Sequence, residues 1–143
     1  MIQEIFDAAR DTLALDIWPI PTRDKAPIGR KWTDQRIGLD DLPEYFGNGC
    51  GLGWLLGIGP RFIVDADIDS VECLALATFI PLPATDRVFG RTSAPASHRL
   101  YEGSAEFKRK PFEDPVRKKE NEGRAEKLEL MLIELRGTGQ QTV

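Results

Sequence analysis

Two cysteines and one histidine are all the thiol and imidazole ligands that this chain of 143 residues offers. Cys50 and Cys73 make neither a disulfide framework nor a metal-ligand spacing, so they read as reduced packing residues of a cytosolic protein. A lone histidine, His98, excludes zinc chemistry built on several imidazoles. No G-x-S-x-G elbow occurs, which leaves a Ser-His-Asp hydrolase without support. No apolar run approaches the ~20 residues of a membrane span. The acidic, amphipathic start Met1-Ile2-Gln3-Glu4-Ile5-Phe6-Asp7 is not a signal peptide. No internal repeat or low-complexity tract is present. The glycines at 51 and 53 invite a dinucleotide-binding reading, but that pattern needs glycine at position 56, which is Leu56.

What remains is ordinary in total and uneven in distribution. Hydrophobic residues make up 41% and charged residues 29%, the balance of a globular chain that fits one domain. The net charge of −4 argues against a general nucleic-acid binder. Yet residues 16–36 carry five basic and three acidic side chains, and residues 103–127 carry eight and six. These segments are either solvated surface or the flanks of a polyanion-binding cleft.

Periodicity sketches the elements. Ile2, Ile5, Phe6, Ala9 and Leu13 fall on one face of a helix over 2–15. Residues 17–21 read as an edge strand because Pro19 and Pro21 lack amide donors. A basic loop over 22–33 and a short helix over 40–46 follow. Residues 51–56 and 61–67 read as a hairpin turning at Gly57 to Pro60. Asp69 and Glu72 form a capping-box pattern ahead of an apolar helix through Phe79. Strands are expected at 87–92 and 97–101, and a mobile, proline-broken excursion at 103–127. Residues 128–136 fit a strand or a helix equally well.

The chemistry concentrates in Phe62-Ile63-Val64-Asp65-Ala66-Asp67. On a strand, Asp65 and Asp67 share a face, with Cα atoms roughly 6.5 Å apart. Carboxylates converging to about 4 Å repel by about 4 kcal/mol at a partly buried site. A divalent metal would offset that cost; the alternative is a strand end with solvated aspartates. An EF-hand loop is excluded, since its sixth and twelfth positions would be Ser70 and Leu76. His98, between Ser97 and Arg99, is either a plain hydrogen-bonded histidine or a phosphate ligand. Glu134 interrupts the apolar run Met131-Leu132-Ile133, a costly place for an unpaired acid. If 128–136 is a strand, Glu134 can meet Asp65 and Asp67 across a sheet.

The order of these pieces resembles the archaeo-eukaryotic primase superfamily, and within it the Prim-Pol type of bifunctional primase–polymerase of phages, plasmids and related mobile elements. The matching pieces are Trp18 to Pro21 with the loop from Lys25 to Trp32, Gly51 to Gly57, Phe62 to Asp67, Arg91 to Tyr101, and Glu134 to Val143. The resemblance implies an α+β fold, with an RRM-like antiparallel or mixed sheet, an N-terminal α/β unit and helices packed on the sheet. It implies Asp65, Asp67 and Glu134 as catalytic, metal-binding acids for two Mg²⁺ or Mn²⁺ ions. His98 would contact the phosphates of the incoming nucleotide. Ser97, Arg91 and Arg99 would lie nearby, and Lys25 and Lys31 would flank nucleotide or template. Such domains continue past the third acidic motif, so the expectation is one catalytic domain over 1–143, truncated on its C-terminal side. The implied partners are nucleoside triphosphates, a single-stranded DNA template and a helicase region or protein, in the cytoplasm and without a membrane. A non-catalytic nucleotide- or nucleic-acid-binding module of a replication initiator is the first alternative. A metal-dependent nuclease using the same acids is the second.

Overall fold

Helix α1 (Ile2–Ala14) forms where the apolar spacing predicts it, and its apolar side meets the core. Ala9 is fully buried, with Ile5, Phe6 and Leu13 packed around it. Thr12, also buried, satisfies its hydroxyl on the carbonyl of Ala8. The computed structural model describes residues 2–47, 49–59, 61–77, 79 and 81–143. The protein is α+β, with helices and two sheets. It divides into two compact units, the first made of Met1–Val64, Glu102–Lys108 and Gly137–Val143, the second of Asp65–Tyr101 and Arg109–Arg136.

In the first unit, α1 packs on helix α2 (Leu42–Phe46) and on strands β1 (Trp18–Arg23) and β3 (Gly51–Leu55). The core joins Ala9, Ile37, Leu42, Phe46 and Cys50. A four-stranded sheet runs in the order β2 (Ala26–Pro27), β1, β3, β9 (Gln141–Thr142). Strand β1 lies between β2 and β3, yet its residues 18–21 have a strand partner only in β3, the edge position that the two prolines predict. Its prolines are accommodated because β2 pairs only with Thr22 and Arg23, while Pro19 and Pro21 face Trp54 and Leu52 of β3. Gly57 turns the chain in the left-handed region at φ 63°, and a Cβ there would lie 2.6 Å from the backbone of Thr138.

The second sheet has the order β5 (Val88–Arg91), β6 (Ala94–Gly103), β4 (Phe62–Ile68), β8 (Met131–Arg136), β7 (Lys110–Glu113). Its described pairings β4–β8, β5–β6 and β7–β8 are antiparallel. The expected 51–56/61–67 hairpin does not form. Strand β3 gives its edges to β1 and β9, and β4 sits between β6 and β8, so the two belong to different sheets. Pro60, at the expected turn, lies outside the described residues.

Two further expectations change. The segment 103–127 holds β7 and helix α4 (Pro115–Glu120). Pro115 starts that helix rather than breaking one, because a first-turn amide has no partner to lose. Asp114 caps it, accepting from the amides of Val116 and Arg117. Helix α3 (Val71–Ala75) is only five residues long, and Ser70, not Asp69, caps it by accepting from the Cys73 amide. Thr78, in the helix expected through Phe79, lies outside the described residues. Among the described residues no helix is long and apolar enough to cross a membrane.

Candidate metal centre

Strand β8 resolves the open choice at 128–136, and its register builds the site. Antiparallel pairing with β4 sets Glu134 opposite Asp67 and Arg136 opposite Asp65. Residues two apart on a strand share a face, so Asp65 and Asp67 meet Glu134 and Arg136 on one side of the sheet. All three acids are taken from water: Asp65 is 0%, Asp67 6% and Glu134 6% exposed. Strand β6 supplies His98, whose Nδ1 lies 2.8 Å from Asp65 Oδ2 and 3.6 Å from Asp67 Oδ1. An ionised carboxylate only accepts, so the hydrogen sits on Nδ1. Phe89 of β5, the cross-strand partner of His98, stacks on its ring with centroids 4.7 Å apart. Gly90 lets β5 come this close, because a Cβ there would collide with the carbonyl of Ala94.

Two arginines complete the network. Arg136 donates from Nε to Glu134 Oε2 at 2.7 Å and reaches Asp67 Oδ2 from its terminal nitrogen at 2.6 Å. Arg109, just before β7, donates to Glu134 Oε1. A fourth acid, Asp69, stands past the end of β4, its amide bonded to the carbonyl of Leu132 on β8. One carboxylate oxygen each from Asp67, Asp69 and Glu134 lie within 4.8 Å of one another.

The local fields follow from this arrangement. Burial pushes the Asp67 carboxyl above the usual range, and Asp65 and Glu134 add to the push against Arg136 and His98. Desolvation, helped by the charges on Asp67, Glu134 and Glu129, pushes Asp69 up to about 6 although it is exposed. Burial alone would raise Glu134 too, but hydrogen bonds from Arg136 and Arg109 hold it below the usual value. Burial would likewise lower His98, and the Asp65 hydrogen bond with the charges of Asp65 and Asp67 outweighs it, so the imidazole is raised. Asp65 Oδ1 is buried without a hydrogen-bond partner among the described residues.

The candidate residues thus separate. Asp65, Asp67, Glu134 and His98 come together. On β6, Ser97 and Arg99 flank His98 and so fall on the opposite face. Ser97 is buried there. Arg91, at the end of β5, is exposed and pairs with Ala94. Lys25 and Lys31 are exposed in the first unit, both at left-handed backbone positions. The three acids whose oxygens converge are Asp67, Glu134 and Asp69, the last absent from the expected set, while Asp65 of that set bonds His98 through Oδ2 and keeps Oδ1 without a partner among the described residues. The spacing Asp65-x-Asp67-x-Asp69 held that signal, obscured by the capping role assigned to Asp69. Arg136 was signalled by Glu134-Leu135-Arg136, a two-residue step along one face. Arg109 had no local signal, because only the β7–β8 pairing brings it to Glu134.

Oxygen-only donors of this kind suit a hard divalent cation. The fold and the site therefore define an α+β protein whose second sheet carries a carboxylate cluster able to hold a metal ion. No family model, curated protein or solved structure matches the chain.

Proposed function

We propose that this chain is the nucleotidyltransferase domain of a DNA primase–polymerase, joining a nucleotide to a 3′-hydroxyl with release of pyrophosphate. The observation that carries the reading is the cross-strand pair Asp67 and Glu134, far apart in sequence, beside a histidine held by Asp65. Asp67, Asp69 and Glu134 would hold Mg²⁺ or Mn²⁺, with the orphaned Asp65 Oδ1 a further oxygen on the same face. Such an ion, when bound, activates the attacking hydroxyl and offsets charge on the α-phosphate. His98, biased toward its cationic form by Asp65 and Asp67, suits an anionic triphosphate. Phe89 and Asp65 fix the imidazole plane, so its contribution is positioning more than proton transfer.

The test is incorporation of labelled nucleotides on a primed single-stranded DNA template with Mn²⁺. Asp67→Ala and Glu134→Gln are expected to drop to background while their circular dichroism stays that of the parent. Full activity in both folded variants would end the reading.

A second reading is favoured by the ion pairs that Arg136 and Arg109 make with Asp67 and Glu134. It is a non-catalytic nucleotide- or nucleic-acid-binding module, and salt-dependent DNA binding without incorporation would select it.

A further inference from the structure

The Asp67 and Glu134 oxygens that a cation would use already face positive side chains. Asp67 Oδ2 and Glu134 Oε2 are both bonded to Arg136, and Glu134 Oε1 to Arg109. Asp67 Oδ1 faces His98. Arg136 is only 24% exposed, and its guanidinium spans the cross-strand pair as a fork. A divalent ion seated among Asp67, Asp69 and Glu134 would share these oxygens with a fixed positive charge at hydrogen-bond distance. Four acids (Asp65, Asp67, Asp69 and Glu134) stand against two guanidiniums and one imidazole. With all three of those groups cationic, a single negative charge is left over, so a divalent ion balances the cluster only if one of them withdraws.

We infer that Arg136 is an internal counter-cation that holds Asp67 and Glu134 in place in the metal-free protein and competes with a divalent ion for them. This rests on the metal-binding reading of the same acids. Arg136 is a positioning residue here: it sets the carboxylates apart and ready, and it swings off them as the ion arrives. The exchange keeps a buried acid pair neutralised in both states, which a site without Arg136 would achieve only with metal present. It also sets a threshold, because the ion must displace an existing ion pair before it binds.

The experiment measures Mn²⁺ affinity by calorimetry on the parent chain, Arg136→Met and Arg136→Lys, and follows the Arg136 Nε–H resonance of the parent during a Mg²⁺ titration. Methionine keeps the apolar stem and removes the charge. It is expected to tighten Mn²⁺ by at least about tenfold, equivalent to about 1.4 kcal/mol. Lysine, a point charge without the fork, should fall between the two. The Arg136 resonance should shift with Mg²⁺ saturation. If the methionine variant does not fold, the lysine variant and the resonance decide. Binding to the parent with equal or weaker affinity in the variants, or a stationary resonance, overturns the competition and leaves the metal site standing. Absence of Mn²⁺ binding in the parent and in every folded variant overturns both.

Discussion

The two units solve burial in opposite ways. In the first, Leu42 and Phe46 are fully buried against Ala9, Ile37 and Cys50, and the stabilisation is apolar area removed from water. In the second, the middle of the sheet buries Asp65, Asp67 and Glu134, and stability there depends on each charge finding an opposite one. An apolar core is indifferent to pH and to divalent ions. A charge cluster responds to both, and this is what a site needs and a scaffold does not. The contrast marks the second unit as the one whose buried acids could hold a metal ion.

Breaking the apolar side should give the largest effect. Phe46→Ala deletes a fully buried ring and is expected to cost about 3–5 kcal/mol in urea unfolding. The loss should be the same with and without Mg²⁺. A loss that Mg²⁺ recovers would mean that the two kinds of core are not independent.

A smaller effect separates the roles of two neighbours. Ser70→Ala removes the cap of α3 and should cost about 1 kcal/mol. Asp69→Asn removes no cap, and it relieves the repulsion from Asp67 and Glu134. Metal-free stability should therefore be unchanged or higher, while Mn²⁺ binds more weakly. If Asp69→Asn destabilises the metal-free protein as much as Ser70→Ala does, Asp69 is structural after all.

These neighbours also show how far the sequence is legible. The α1 face, the β5 and β6 strands and the carboxylates at 65, 67 and 134 are readable because each follows a local period or stands out against apolar neighbours. A turn can be inferred at Gly57, but not which strands lie beside β3 and β4, because pairing partners are set by segments some 80 residues away, such as β8 and β9. The same limit hides the cations. Repulsion between Asp65 and Asp67 signals that something positive is near. Whether it is a metal or Arg136 depends on a cross-strand register that no spacing within β4 encodes. Asp-x-x-Glu satisfies a capping rule at Asp69, one residue ahead of the serine that does the capping, and so masks the place of Asp69 beside Asp67 and Glu134.

The finest test of the contrast is the pH dependence of metal-free stability. Asp69 moves from 3.8 to about 6 on folding, and Asp67 moves upward as well. In that window the folded chain binds more protons than the unfolded one, so stability falls as pH rises. His98 acts in the same direction: its raised value adds stability below 6.5 that is lost as pH climbs through the folded value. Glu134 opposes them, since its lowered value adds stability above 4.5 that is lost on acidification. Asp69 is exposed, so solvent screens its share and the net slope is shallow. Urea midpoints should therefore be higher near about pH 5 than near about pH 7. Mg²⁺ should flatten or reverse that slope, because an ion that takes the place of protons on Asp67 and Asp69 stabilises the fold most where those acids are ionised. A midpoint that rises steadily with pH, and does so equally with and without Mg²⁺, would show that the carboxylates are balanced by arginine alone.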